Sequence, residues 1–321
     1  MNKILVTRQI PEKFKTRLEQ QAEVEMWDHH LTPMPREQFL EAIKDKTALL
    51  VTLSEQIDET VFQAAPHLKI VANMAVGYDN IDLAAAERHG VAVTNTPHVL
   101  TETTAELGFA LMLATSRRIV EAEKYVQDGK WESWGPYLLA GKDIYRSKVG
   151  IFGMGEIGKA FARRLKGFNA DILYHNRSRN LKAESELGAF YTSFDTLIKE
   201  SDFIISTAPS TPETQNTFNY GVFKDMRKDA IFINIGRGDL VVEKDLIEAI
   251  ENKEIAGAGL DVVRNEPIRP DHPLLKYPNV IITPHIGSAS ILTRDQMIQT
   301  CVLNIEDVFK GGTARNLITT Y

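Results

Sequence analysis

The sequence predicts an α/β protein built of two doubly wound parallel sheets, one domain inserted into the other. Three observations carry this. The first hundred residues alternate short apolar runs with amphipathic stretches, and the same alternation starts afresh at Val149 and continues to Thr283. Two long segments of helical character, Thr101 to Glu123 and Ala289 to Phe309, would link the domains and return the chain to the first one. Apolar strands alternating with helices make βαβ units, whose parallel sheet must be covered on both faces.

In the first domain Ile4 to Thr7, Glu23 to Trp27, Ala48 to Thr52, Ile70 to Ala72 and Val91 to Thr94 read as strands, with helices such as Glu12 to Gln21 and Arg36 to Lys44 between them. The apolar run near Met1 is far too short for a signal peptide or a membrane span, so it reads as the first buried strand. In the second domain the strands are Val149 to Phe152, Ala170 to Tyr174, Phe203 to Thr207, Ala230 to Ile235, Gly257 to Leu260 and Val280 to Thr283. The expected division is 1–98 with 289–321 for one domain and 99–288 for the other. No repeat of solenoid length and no low-complexity tract interrupts this plan.

Composition narrows the function. With 321 residues, 43% hydrophobic and 25% charged, the chain is an ordinary globular protein large enough for two cores. A net charge of −6 argues against nucleic acid or an anionic membrane as partner. The one cysteine, Cys301, excludes an intrachain disulfide, fits the reducing cytoplasm and, between apolar neighbours, reads as a packed residue. Asp28-His29-His30 reads as a polar turn, because further metal ligands at suitable spacing are missing, and no metal is expected.

The most informative stretch is Gly153-Met154-Gly155-Glu156-Ile157-Gly158, which opens directly from the strand Val149 to Phe152 into the apolar-periodic segment Ile157 to Leu165. Strand, Gly-x-Gly-x-x-Gly turn and helix start together form a dinucleotide pyrophosphate site, the signature of a Rossmann NAD(P)-binding domain. Gly153 permits the turn, Gly155 lets N–H groups approach the phosphates, and Gly158 allows close packing of helix on strand. The helix start then presents unpaired N–H groups and partial positive charge to the anion.

The end of the next strand reports on the cofactor. An NAD site places a carboxylate there for the ribose hydroxyls. Here the chain reads His175-Asn176-Arg177-Ser178-Arg179, in which Arg177, Ser178 and Arg179 can hold a 2′-phosphate by charge-assisted hydrogen bonds. NADP(H) is therefore the preferred cofactor, with NAD(H) as the alternative. A solvated basic turn is the plain reading of the same residues.

Three polar residues follow later strands of this domain, where ligands gather in open α/β sheets. Arg237 stands between Gly236 and Gly238 after the strand ending at Ile235 and can pair with a carboxylate. Glu266 lies past the strand ending at Leu260, and His285 just past the one ending at Thr283. Singly, each has a dull explanation as a surface cation, a loop carboxylate and a loop histidine. Together they supply an anion binder, a proton donor and a carboxylate partner for it.

The runs Met74-Ala75-Val76-Gly77-Tyr78-Asp79-Asn80-Ile81-Asp82, the glycine triplet, Ile233-Asn234-Ile235-Gly236-Arg237-Gly238, Gly259-Leu260-Asp261-Val262, Asn265-Glu266-Pro267 and Pro284-His285-Ile286-Gly287-Ser288-Ala289 occur in this order. With them the chain resembles the D-isomer-specific 2-hydroxyacid dehydrogenases over essentially its whole length. Lys130-Trp131-Glu132-Ser133-Trp134-Gly135-Pro136, followed by Leu138-Leu139 and Gly141, resembles the glyoxylate/hydroxypyruvate and 2-ketogluconate reductase branch. The chain departs from the family at Arg146-Ser147-Lys148, where Gly-Lys-Thr is frequent.

The resemblance implies a Rossmann domain inserted into a flavodoxin-like substrate domain, and reduction of a small 2-oxoacid to the D-2-hydroxyacid. Arg237 would bind the carboxylate and the carbonyl oxygen, and His285 would protonate that oxygen as hydride reaches the carbon. Glu266 would orient the imidazole and favour its protonated form. The resemblance also implies that Val76 and Gly77 offer backbone N–H groups to the substrate carboxylate, that Leu53 and Ser288 line the substrate pocket, and that Asp261 holds the nicotinamide carboxamide. Thr104 would touch the cofactor. Trp134 would reach into a neighbouring subunit's site, which implies a homodimer; taken alone, Trp131 and Trp134 are three apart and would share one helix face.

A different class of function fits the same architecture, since the family includes dinucleotide-sensing corepressors. Intact Arg237, Glu266 and His285 favour the enzyme, as do the missing long polar tails. Glu266 stands where the formate dehydrogenase branch carries an amide, and nothing after Tyr321 would form the regulatory domain of the longer phosphoglycerate dehydrogenases. An NADH-linked D-2-hydroxyacid dehydrogenase of another substrate is the alternative inside the enzyme class.

Overall fold

In the computed structural model, which describes residues 1–319, the chain forms two compact units: the residues up to Leu100 together with those from Ala289 onward, and Thr101–Ser288. The first unit opens with β1 (Lys3–Val6), α1 (Glu12–Glu19), β2 (Glu23–Met26), α2 (Arg36–Ala42), β3 (Ala48–Val51), α3 (Glu59–Ala64), β4 (Ile70–Asn73), α4 (Leu83–Arg88) and β5 (Ala92–Thr94). Among the described residues its sheet has five strands, all parallel, in the order β2-β1-β3-β4-β5. This is the flavodoxin-like order.

Period-two alternation sends side chains to opposite faces of that sheet. Leu5, Leu49, Val51 and Val71 pack with Phe39, Val61 and Phe62 from α2 and α3. Ile4, Val6, Leu50 and Ala72 face the other way, onto Phe14 and Leu18 of α1 and onto Ile298, Cys301, Val302 and Ile305. Asp58 and Asp82 cap α3 and α4, accepting the N–H groups of Val61 and Ala85.

The second unit runs α5 (Thr101–Ser116), α6 (Ile119–Gln127), β6 (Lys148–Phe152), α7 (Glu156–Leu165), β7 (Asp171–His175), α8 (Leu181–Leu187), β8 (Phe190–Tyr191), α9 (Phe194–Glu200), β9 (Phe203–Ser206), α10 (Tyr220–Asp225), β10 (Ile231–Asn234), α11 (Glu243–Glu251), β11 (Gly257–Leu260) and β12 (Val280–Ile282). Helix α12 (Ile291–Phe309) then belongs to the first unit. The second sheet has seven parallel strands among the described residues, ordered β12-β11-β10-β9-β6-β7-β8. Val149, Ile151, Phe203, Ile205 and Ile233 face α5 and α7, whereas Phe152, Ile204 and Phe232 face α9, α10 and α11. The strand order reverses between β6 and β9, as in a Rossmann fold.

Two features differ from expectation. The segment Thr101 to Glu123 is not one helix: it breaks at Arg117 and Arg118, and Arg118 is left-handed with φ 54°. The carbonyl of Ser116 accepts the Lys142 N–H at 2.9 Å, so the returning chain takes the acceptor that a continuing helix would use. The two-residue strand β8 extends the sheet edge without an apolar run to announce it.

Cys301 is wholly buried, and burial pushes its thiol up to about 12. No helix among the described residues is long and apolar enough to cross a membrane. Nor do the described residues hold a group of three or more His, Cys, Asp or Glu side chains able to bind a metal ion; His29 instead lies with its ring centroid 4.7 Å from that of Trp27.

Candidate active site

The glycine turn joins the strands at the order reversal of the second sheet. Gly153 has φ +105°, and a Cβ there would lie 2.7 Å from the Ala208 nitrogen after β9, so no larger residue fits. A Cβ at Gly158 would meet the Gly153 carbonyl at 2.3 Å, the close approach of helix to turn expected for that position. Side chains beyond β7 brace the turn. Asn176 Oδ1 accepts the Met154 N–H at 2.6 Å, and Asn180 Nδ2 donates to the Met154 carbonyl at 2.8 Å. At the first turn of α7, Glu156 pairs with Lys159 at 2.6 Å and Ile157 is partly buried.

Arg177, Ser178 and Arg179 are all exposed just beyond β7. They are not equivalent. Arg179 donates both Nε (3.0 Å) and Nη2 to the Glu184 carboxylate, which also accepts the Tyr174 hydroxyl at 2.7 Å. These bonds hold Glu184 down to about 2, Arg179 first and Tyr174 second. The strand end itself carries no carboxylate, but folding brings Glu184 to it from α8, ten residues beyond Tyr174. Glu213, on the loop after β9, is held below its ordinary range first by the Thr211 hydroxyl and, more weakly, by the charge of Arg177.

The rim beyond β10, β11 and β12 carries the three polar residues. Arg237 is half-buried, and its Nη1 donates to the Gly236 carbonyl at 2.9 Å. The following glycine is there for the backbone and not to uncrowd the guanidinium: a Cβ at Gly238 would lie 2.0 Å from the Val263 carbonyl oxygen. The loops after β10 and β11 therefore touch through their main chains. Glu266 stands on the second of these loops, where Oε1 accepts the Val263 N–H at 3.2 Å. Its Oε2 lies 2.7 Å from Nδ1 of His285.

His285 is left-handed, with φ 53°, on the turn after β12. A non-glycine residue there is costly and persists only when its surroundings impose it. Asp261, 2% exposed, imposes it. Its carboxylate accepts the Thr283 hydroxyl at 2.7 Å, the Ile286 N–H at 2.9 Å and the Gly287 N–H at 2.8 Å, while its carbonyl accepts the His285 N–H at 3.0 Å. Burial pushes the Asp261 carboxyl up, opposed by those bonds and by the neighbouring His285. Thr283 was invisible from sequence as a site residue, because nothing in its local pattern sets it apart from a strand-end threonine. Thr104 is buried in α5 near this turn: a Cβ at Gly287 would lie 3.1 Å from both Thr104 Cγ2 and Asp261 Oδ2. Ser288 is half-buried next in the chain.

Trp134 is 82% exposed and Trp131 62% exposed, on irregular chain after α6, so they do not share a helix face. Tyr137 and Leu138 are exposed in the same stretch, and Val126 near the end of α6 is exposed as well. In the first unit Leu53, Val76 and Gly77 are half-buried and follow the C-terminal ends of β3 and β4. Asn95 Nδ2 donates to the Val76 carbonyl and Asn73 Nδ2 to the Gly77 carbonyl, both at 2.8 Å.

Comparison with known proteins gives a consistent result. Residues 109–287 match the D-isomer specific 2-hydroxyacid dehydrogenase, NAD binding domain family. A glyoxylate reductase of Pyrococcus furiosus is 47% identical over 314 residues, covering 97% of this chain and 93% of that protein. Among solved structures, a protein of Thermus thermophilus superposes with a TM-score of 0.93 at 40% identity, covering 99% of this chain and all of its own. The NADPH-dependent glyoxylate/hydroxypyruvate reductase of Sinorhizobium meliloti, solved with NADP and malonate, gives a TM-score of 0.86 at 34% identity, covering 99% of this chain and 96% of its own.

Proposed function

Because the chain belongs to the D-isomer specific 2-hydroxyacid dehydrogenase family of oxidoreductases, we propose that it reduces a small 2-oxoacid, glyoxylate, hydroxypyruvate or 2-ketogluconate, to the D-2-hydroxyacid with NADPH. The observation that carries this reading is the 2.7 Å contact between Glu266 and His285 Nδ1, on the rim that also bears Arg237. A relative named glyoxylate reductase and another solved with NADP support the substrate class and the cofactor.

A bound nicotinamide supplies hydride to the substrate carbon. Glu266 engages Nδ1 of His285, which leaves Nε2 to give its proton to the substrate oxygen. Arg237 holds the substrate carboxylate and the carbonyl oxygen. Negative charge grows on that oxygen during reduction, so a fixed cation and an acid stabilise the transition state more than the ground state. Asp261 seats the histidine turn, and the resemblance adds a contact to the nicotinamide carboxamide, with Thr104 as a further cofactor contact. Leu53, Val76, Gly77 and Ser288 complete the substrate contacts.

The second unit, 99–288 in the sequence division, binds the dinucleotide, and 1–98 with 289–321 form the substrate domain. Residues Gly153 to Gly158 hold the pyrophosphate at the start of α7. A Cβ at Gly155 would meet no protein atom within 4 Å, which suits an outer surface facing a phosphate. Asn176 orders the turn, Arg177 and Ser178 take the 2′-phosphate, and Arg179 adds its charge from the grip of Glu184. Exposed Val126, Trp131, Trp134, Tyr137 and Leu138 support a homodimer, with Trp134 entering the partner's site. The buried lone cysteine is in keeping with a cytoplasmic enzyme.

The direct test follows the loss of reduced-nicotinamide absorbance with NADPH and NADH in parallel, against glyoxylate, hydroxypyruvate, 2-ketogluconate, pyruvate and phenylpyruvate. Rapid NADPH oxidation with one of the first three is expected. Turnover with NADH alone would overturn the cofactor choice, and tight dinucleotide binding without turnover of any acid would point to a sensor.

A further inference from the structure

A pair of opposite charges is buried where the strand order of the first sheet reverses, between β1 and β3. Open α/β sheets place ligands beyond the C-terminal ends of the strands flanking such a reversal. Arg8 follows β1 and Glu55 follows β3, and they are 8% and 6% exposed. Arg8 Nη1 donates to Glu55 Oε1 at 2.7 Å and to the Thr7 carbonyl at 2.6 Å. Glu55 Oε2 accepts the Thr7 hydroxyl at 2.8 Å, the Thr52 N–H at 2.8 Å and the Thr52 hydroxyl at 3.0 Å. Asn80 Nδ2 closes the arrangement, donating to the carbonyls of Thr52 (3.2 Å) and Glu55 (2.9 Å).

Stability alone does not account for this network. A buried ion pair roughly breaks even against an apolar pair of the same shape, because both ions lose water. Arg8 Nη2 is also buried with no hydrogen-bond partner among the described residues, which is a further cost. Strands β1 and β3 already hold together through their ladder and the apolar residues on both faces. What the network does uniquely is tie the short turn Thr52–Glu55 to the exit of β1 and to the loop after β4. That turn carries Leu53.

We infer that Glu55, braced by Arg8, is a positioning residue that fixes the Leu53 turn and so sets how tightly the 2-oxoacid is held. This rests on the proposed function, which makes Leu53 a substrate contact. Glu55 does not touch substrate; it acts through the turn it locks.

Glu55→Gln keeps the size of the side chain but removes the charge that Arg8 faces. Hydrogen exchange of the 52–55 amides is expected to quicken by about tenfold or more, and KM for glyoxylate or hydroxypyruvate to rise by about tenfold, while KM for NADPH stays within about twofold. Thr7→Val, which removes one hydroxyl donor to Glu55 (2.8 Å) together with its longer contact to the Leu50 carbonyl (3.4 Å) but leaves both charges in place, should move both readouts in the same direction by less, and it decides the matter if Glu55→Gln does not fold. Faster exchange with an unchanged oxoacid KM, or equal rises in the oxoacid and NADPH KM values, would overturn the inference. Exchange needs no turnover. A wild-type protein inactive on every 2-oxoacid would therefore sink the proposed reaction, whereas unchanged exchange in both variants would sink the lock itself.

Discussion

Asp261 seats His285 through the main chain and not through the imidazole: the His285 N–H donates to the Asp261 carbonyl at 3.0 Å, and the Asp261 carboxylate grips the two N–H groups that follow. The ring is left to Glu266. One carboxylate thus fixes the backbone of the histidine and another its side chain.

The first expectation concerns Thr283, whose hydroxyl helps hold the buried Asp261 carboxyl down. In Thr283→Val that carboxyl rises further, since burial is opposed by one bond fewer. The acidic limb of the kcat/KM profile should shift to higher pH, with turnover at pH 7 falling roughly three- to tenfold. An unmoved limb would show that the ionised form of Asp261 is not needed.

His285→Ala should cost about 10³ in kcat, in the range found for a positioned general acid, with the NADPH dissociation constant changed by less than about threefold. Glu266→Gln should retain more activity, because an amide still orients the ring, and is expected to lose about 10². Steady-state kinetics beside a cofactor fluorescence titration separate the two effects. Loss of cofactor binding in His285→Ala would mean that the acid lies elsewhere.

For the 2′-phosphate, the two arginines should differ. Arg177→Ala is expected to raise KM for NADPH by about tenfold and to leave KM for NADH within about twofold. Arg179→Ala should do less, since that guanidinium is already committed to Glu184. If NADPH and NADH suffer alike in Arg177→Ala, the residue does not read the phosphate.

A stability test comes from the first unit, where Arg17 Nη2 donates to the buried Glu306 at 3.0 Å and the guanidinium holds that carboxyl below its ordinary range. A depressed carboxyl contributes stability above its unfolded value, about 4.3, and loses it as pH falls through the folded value. Arg17 is more than a third exposed, so screening reduces the effect. Arg17→Met should cost about 1–2 kcal/mol in urea unfolding at pH 7, and less at about pH 3. An equal loss at both would trace to packing of the arginine stem.

Much of this architecture was legible because buried parallel strands are written as short, nearly continuous runs without polar side chains. Gly257–Leu260 matches residue for residue, and most other strand ends fall within one or two positions. The glycine turn, Arg237, Glu266 and His285 were legible because each lies in the loop that follows such a run. What escaped depends on partners distant in sequence or on backbone geometry. Arg8 and Glu55 stand 47 residues apart, and neither has local context to betray the other. The break before α6 rests on Lys142 claiming the Ser116 carbonyl, a contact that helix periodicity does not encode. Gly238 makes room for the main chain at Val263, a neighbour that nothing around it in the sequence announces. Glu184 reaches the turn after β7 from a helix, so its carboxylate does not appear where the strand ends.

The four residues that α12 lends to the first sheet, Ile298, Cys301, Val302 and Ile305, are translated long after the strands they cover. On the ribosome the inserted unit, contiguous from Thr101 to Ser288, has its whole core in hand while the amino-terminal strands still present one oily face to water. The order of completion is therefore the reverse of the order of synthesis. Until α12 has emerged that face lacks this cover, so emergence of α12, more than growth of the amino-terminal strands, completes the first domain.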